Sequence, residues 1–125
     1  MDGKAARPLE WIGSSRDDLR SFPHGVRDHV GFALYQAQIG GKHRDAKPLL
    51  GLGAGMLEVV SDFDGDTYRA VYTVRFRDAV YVLHAFQKKA KRGIATPRAE
   101  IELVKRRLRA AELHHAATHG KDAKR

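Results

Sequence analysis

The chain has 125 residues, 42% hydrophobic and 30% charged, which suits one ordinary domain with a single core. It has no cysteine, so disulfides, thiolate metal sites and cysteine nucleophiles are excluded. Lysine and arginine outnumber the acids 23 to 15, a net charge of +8, which favours a polyanionic partner, nucleic acid ahead of an anionic membrane surface.

Residues 1–6 read as a loose start, with no apolar run of signal-peptide length. No stretch reaches membrane-spanning length, so the expected compartment is the cytoplasm and no membrane partner is expected. Arg7 to Gly13 reads as a short strand with Leu9 and Trp11 on one face, and Pro8 confines it to an edge or to a strand's first residue. Ser15 with Asp18 resembles a capping box, and the helix it opens, Arg16 to Phe22, should stop before Pro23. A second helix from His24 to Ile39 carries Val26, Val30, Ala33, Leu34 and Ala37 at helical spacing, and Gly40-Gly41 ends it. Lys42 to Gly55 reads as a loop exposing Lys42, His43, Arg44 and Lys47. Its glycines do not make a phosphate loop, because no Lys-Ser/Thr follows them.

Met56 to Phe63 is the next strand, and Asp64-Gly65-Asp66 is a hairpin turn into Thr67. From Thr67 to Lys89 the chain reads TYRAVYTVRFRDAVYVLHAFQKK. Its first arm alternates strictly, and its second, Ala79 to Lys88, is apolar almost throughout, as a strand covered on both faces requires. A turn at Arg77-Asp78 would set Phe76 opposite Ala79, Val71 opposite His84 and Arg69 opposite Phe86. Tyr68, Ala70, Tyr72 and Val74 would then share a core face with Ala79, Tyr81, Leu83 and Ala85. Arg69, Thr73 and Arg75 would share the other face with Val80, Val82, His84, Phe86 and Lys88.

After a basic loop, Thr96 as N-cap and Pro97 at the first helical position start a helix running to Leu113, with Ile101, Val104, Leu108 and Ala111 inward. Residues 114–125 read as a basic, disordered tail. Its His114, His115 and His119 are a weak metal signal there. The expected domain spans 1–113. Its element order is β-α-α-β-β-β-α, an α+β fold with a small antiparallel sheet and helices packed against it.

The segments PLEWIGSSRDDL, AKPLLGLGAGMLEVVSDFDGDTYRAVYTVRF, AVYVLHAFQKKAKRG and TPRAEIELVKRR resemble the phage-derived HigB-like branch of the RelE/ParE toxin superfamily. The resemblance spans roughly Pro8 to Arg109. It implies a RelE-like fold and a type II toxin–antitoxin toxin. Such a toxin is usually a metal-free endoribonuclease that cuts mRNA on the ribosome, needs no cofactor, and is neutralised by a cognate helix-turn-helix antitoxin. Arg69 matches the family's phosphate-binding arginine, and Lys88-Lys89 the basic pair closing the last strand. Two departures stand out. Where many relatives read Glu-Leu-Arg, this chain reads Glu58-Val59-Val60, and Thr96 to Leu103 contains no tyrosine. A non-nuclease toxin of the gyrase-inhibiting ParE kind, or an inactive remnant that only binds antitoxin or nucleic acid, is the alternative.

Metal-free RNA cleavage needs a base for the 2′-hydroxyl, a cation on the phosphate and an acid for the leaving 5′-oxygen. Arg69 is the candidate phosphate stabiliser, because its fork matches two phosphate oxygens. His84, Lys88 and Lys89 are candidates for proton transfer and electrostatic support. Phe86 offers a ring for base stacking, and Arg75, Lys47 and Arg92 are candidate substrate contacts. Each has a plainer alternative. Arg69 could be solvated or paired with an acid, His84 satisfied in the core, Phe86 simply packed, and Lys88-Lys89 a guard on a strand edge.

Overall fold

The computed structural model describes residues 6–88 and 96–123, with side chains up to 119 in the last helix. The elements are β1 (Leu9–Trp11), α1 (Ser15–Arg20), α2 (His24–Gln38), β2 (Ala46–Pro48), β3 (Met56–Phe63), β4 (Asp66–Thr73), β5 (Val80–Lys88) and α3 (Arg98–Ala123). They form one sheet in the order β1-β5-β4-β3-β2. Strands β3, β4 and β5 pair antiparallel as expected, β2 adds antiparallel to β3, and β1 runs parallel to β5, so the sheet is mixed.

The fold class agrees with the sequence, and the differences are local. Strand β2 lies inside the segment read as a loop. It is a three-residue edge with Pro48 at its end, too short to show a period. His43, expected to be exposed, is buried. Ser14, not Ser15, precedes α1, and its hydroxyl donates to Asp18 at 2.7 Å. Ser15 turns inward and donates to the Val82 carbonyl at 3.1 Å. The β3–β4 turn uses positive φ at Asp64 (52°) and Gly65 (84°), the conformation that makes Asp-Gly a hairpin dipeptide.

The central hairpin keeps the expected register only at the end remote from the β4–β5 connection. Arg69 faces Phe86, Ala70 faces Ala85 and Val71 faces His84. The register shifts by one between Val71 and Tyr72, so Tyr72 faces Val82 and Thr73 faces Tyr81. Leu83 is the extra residue, and a bulge of this kind reverses the parity of everything beyond it. Val80 and Val82, not Tyr81 and Leu83, therefore join Tyr68, Ala70 and Tyr72 in one core cluster. Tyr81 and Leu83 cross to the other cluster with Val71 and Phe86. The expected Phe76–Ala79 pair does not form. Residues 74–79 make a wider connection, tied by Val74 N–H to Gly55 O and by Arg7 to Phe76 O, each at 2.9 Å.

Helices α1 and α2 cover the first cluster with Leu19, Val26, Val30, Ala33, Leu34 and Ala37. Helix α3 covers the second with Val104, Leu108 and Ala111, the inward stripe read from the sequence. It continues to Ala123, where a tail from His114 was expected. Apolar burial does not hold this extension. His114 Nδ1 meets the Tyr81 hydroxyl at 2.6 Å, and His115 Nε2 meets Asp78 at 3.0 Å with its ring against Phe76. Among the described residues no helix is long and apolar enough to cross a membrane.

Candidate active site

Residues paired across neighbouring strands point to the same side of a sheet. One row reads Lys47, Glu58, Val71, His84 across β2, β3, β4 and β5. The next reads Val60, Arg69, Phe86, and the one after it Asp62, Thr67, Lys88. All of these face α3. The backbones of Glu58 and His84 are two strand spacings apart, roughly 10 Å, with Arg69 one row along.

Arg69 and Glu58 are 4% and 3% exposed. Arg69 Nη1 donates to Glu58 Oε2 at 2.9 Å and lies 3.4 Å from Thr96 Oγ1. The Thr96 hydroxyl donates to that same Glu58 oxygen in a short hydrogen bond. Thr96 thus turns its hydroxyl to the sheet and locks the start of α3 onto the buried ion pair. A charge so enclosed is tolerated only while its partner is present.

His84 is also buried. Its Nε2 lies 2.6 Å from Glu100 Oε1 and its Nδ1 lies 3.4 Å from Arg107 Nη1. A guanidinium can only donate, which assigns the acceptor role to Nδ1 and the proton to Nε2. Arg107 is held by the Leu83 carbonyl and Ser14 Oγ, each at 3.0 Å. The His84 ring stacks on Phe86 at 4.7 Å and 22°. This arrangement presents a carboxylate, a guanidinium and a proton-bearing imidazole on one face.

The structure therefore brings Arg69, His84, Phe86 and Lys88 together on one side of the sheet. Lys88 and Phe86 are nearly buried, and the Phe86 ring is packed in the core under α3. Lys47 is exposed on the edge strand, in register with Glu58. Arg75 lies elsewhere. It donates to the Ala54 and Leu52 carbonyls at 3.0 and 2.7 Å and reaches Glu112 at 3.5 Å, fastening the 52–54 segment. Lys89 and Arg92 lie outside the described residues.

The sequence reading missed Glu58, Thr96, Glu100 and Arg107 as site residues. Glu58 had a signal, an acid in the middle of the apolar run MLEVV, on the opposite strand face from Leu57 and Val59. Thr96 was expected as the N-cap of α3, but Pro97 holds that place, its carbonyl accepting from the Glu100 and Ile101 N–H groups, and the Thr96 hydroxyl turns to Glu58 instead. Glu100 and Arg107 sit on a helix face, where polar residues are ordinary. Among the described residues, His29, His43 and Asp45 alone have metal-ligand spacing, and they are remote from this face. The hydrogen bond from His29 holds the Asp45 carboxyl below its usual range.

No curated protein matches the chain. The family model described as phage derived protein Gp49-like matches residues 17–109. Among solved structures, the chain is similar to a double mutant of the E. coli toxin RelE in the free state. The TM-score is 0.56 at 16% identity, covering 85% of this chain and 98% of that one. A second similarity is to the toxin–antitoxin complex RelBE2 from Mycobacterium tuberculosis, at TM-score 0.42 and 20% identity, covering 72% of this chain and 100% of that one. The likeness to RelE is one of fold, a sheet with helices on both faces.

Proposed function

The chain belongs to the family of phage-derived Gp49-like proteins and has a RelE-like fold, and on that premise we propose that it is the toxin of a type II toxin–antitoxin pair. In this reading it is a cytoplasmic endoribonuclease that cleaves mRNA on the ribosome without a metal, and a cognate helix-turn-helix antitoxin neutralises it. The observation that carries the reading is the buried Arg69–Glu58 pair one row from the proton-bearing His84. Buried charge weakens a core unless it does something else.

The chemistry follows from those roles. A substrate phosphate competes with Glu58 for the Arg69 guanidinium and takes its fork. The released Glu58 carboxylate accepts the 2′-hydroxyl proton as the 2′-oxygen bonds to phosphorus. For the acid step His84 first takes a second proton on Nδ1 as Arg107 turns aside. The imidazolium, held by Glu100, gives its Nε2 proton to the departing 5′-oxygen, leaving neutral His84, a 2′,3′-cyclic phosphate and a 5′-hydroxyl. Lys88 adds positive field beside the pentavalent phosphorus, and exposed Lys47 guides the RNA backbone along the sheet edge.

One observation favours a second reading. Arg69 and His84 are each engaged by an acid, Glu58 and Glu100. A protein that only binds its target, such as a gyrase inhibitor, or one that only binds its antitoxin, tolerates such closure.

The test is inducible expression in a bacterial host of wild type, Arg69→Ala, Glu58→Gln, His84→Ala and the Lys88→Ala/Lys89→Ala pair, each shown to be folded by circular dichroism. Growth is followed and RNA 5′ ends are mapped. Arrest with new cuts inside translated messages is expected, reduced at least about 100-fold in the Glu58 and His84 variants and abolished by Arg69→Ala. Arrest without cuts selects the gyrase-type reading. Folded wild type with neither arrest nor cuts removes the nuclease reading.

A further inference from the structure

On the side of the sheet away from Arg69, three side chains converge from two parts of the chain. His29 comes from the middle of α2, and His43 and Asp45 from the turn leading into β2. His29 Nε2 lies 2.8 Å from Asp45 Oδ2, and His43 Nδ1 lies 3.8 Å from the same oxygen. One donor atom from each residue falls within 4.8 Å of the other two. We propose that His29, His43 and Asp45 bind a borderline divalent transition cation, Zn²⁺ first, leaving one coordination position for water.

The distances suit such an ion. Zinc bonds nitrogen and oxygen at about 2.0–2.2 Å, so its tetrahedral ligands stand roughly 3.3 Å apart. The present spacings, from 2.8 Å to at most 4.8 Å, bracket that value, and side-chain rotations would close the set. The donor set also selects the ion. Two imidazoles and one carboxylate suit zinc, nickel or copper and not the oxygen-seeking magnesium or calcium. Lys42 and Arg44 flank the turn, and the Lys42 ammonium is tied to the Ala46 carbonyl at 2.7 Å. Such positive neighbours discourage hard cations held by charge alone and leave the site to metals that form strong bonds with nitrogen.

A supporting shell is already in place. Ser61, buried on β3, meets His29 Nδ1 at 2.7 Å. A hydroxyl can either donate or accept. In the metal-free protein it donates to Nδ1 while Nε2–H bonds Asp45. With a cation on Nε2 the proton moves to Nδ1 and Ser61 accepts it, which is the arrangement that orients metal-bound histidines. His43 is buried with its ring edge-on to Phe32 at 5.5 Å and to His29 at 5.3 Å. Its Nδ1 accepts the Asp45 backbone N–H at 2.9 Å. The cation takes over that lone pair, and the freed N–H turns to water at a half-exposed turn. Bound metal would clip α2 to the turn that carries β2. The proposal does not depend on the nuclease reading.

The experiment uses the full chain without a polyhistidine tag, stripped with chelator and titrated with ZnCl₂ by calorimetry, while the melting temperature is followed. Saturable one-to-one binding with a raised melting temperature is expected. His29→Ala and the nearly isosteric Asp45→Asn should abolish it, and Ser61→Ala should weaken it about 10–100-fold. A His114→Ala/His115→Ala/His119→Ala variant should bind as wild type does. No saturable binding by folded wild type overturns the proposal. So does binding that survives both His29→Ala and Asp45→Asn, or that disappears with the three α3 histidines.

Discussion

The face of the sheet under α1 and α2 buries Leu34, Val59, Ala70, Tyr72, Val80 and Val82, and its buried polar side chains among the described residues, Ser15, Ser61 and His43, include no lysine, arginine or acid. The face under α3 also buries Val71, Tyr81 and Leu83, but it places Glu58, Arg69, His84 and Lys88 among them. The same strands supply both faces, so propensity does not explain the contrast. Enclosed charge costs stability unless paired, and apolar residues of like volume usually hold a core as well or better. The α2 face is what a fold needs to stand. The α3 face keeps a charge arrangement that standing does not require, and that is the physical case for looking there for chemistry.

The largest expected effect that would break this comparison is on the charged face. Glu58→Ala leaves Arg69 enclosed without its carboxylate and should cost about 3–5 kcal/mol in urea unfolding. Combining it with Arg69→Met should recover most of that loss. A cost below about 1 kcal/mol for the single variant would mean that the pair is open in solution.

The apolar face offers a sharper test through Tyr72. Its ring is fully buried and its hydroxyl has no partner among the described residues. Burial pushes its pKa up to about 12. A raised folded-state value means the protonated form is favoured by folding. That stability is fully present below the unfolded value of 10.0 and is lost as pH climbs through about 12. The loss is on the order of 2–3 kcal/mol across that window. Tyr72→Phe should remove this alkaline slope and be neutral or slightly stabilising at pH 7. An unchanged slope would show that Tyr72 does not titrate there.

The smallest effect belongs to the rim. Glu112 reaches Arg75 at 3.5 Å and Arg109 at 3.8 Å from a partly exposed position. Glu112→Ala should cost less than about 1 kcal/mol, and less still in high salt. A larger loss would place Arg75 and its hold on the 52–54 segment among the main supports of the fold.

Much of this architecture was legible in the sequence. The stripe of α2, the stripe of α3 from Val104 to Ala111, and the β3–β4 turn each depend on residues within a few positions of one another. Half of the central hairpin was legible too, and with it the placement of Arg69, His84, Phe86 and Lys88 on one face. The bulge at Leu83 was not, because AVYVLHAF is apolar on both parities and carries no mark of where alternation breaks. The helical continuation past Leu113 was not, because its contacts to Tyr81, Phe76 and Asp78 are more than thirty residues away.

The division follows the range of the forces involved. Periodicity, turn chemistry, net charge and the absence of cysteine are local or summed properties, and by themselves they determined the longer helices and strands and the α+β class. Which acid meets which base is decided by strand order and register. Only the tertiary structure set Glu58 against Arg69, Glu100 against His84, and His29 beside His43 and Asp45. Those contacts exist because a three-dimensional sheet and its helices bring distant residues within hydrogen-bond reach, where a few ångströms separate a buried pair from a solvated charge.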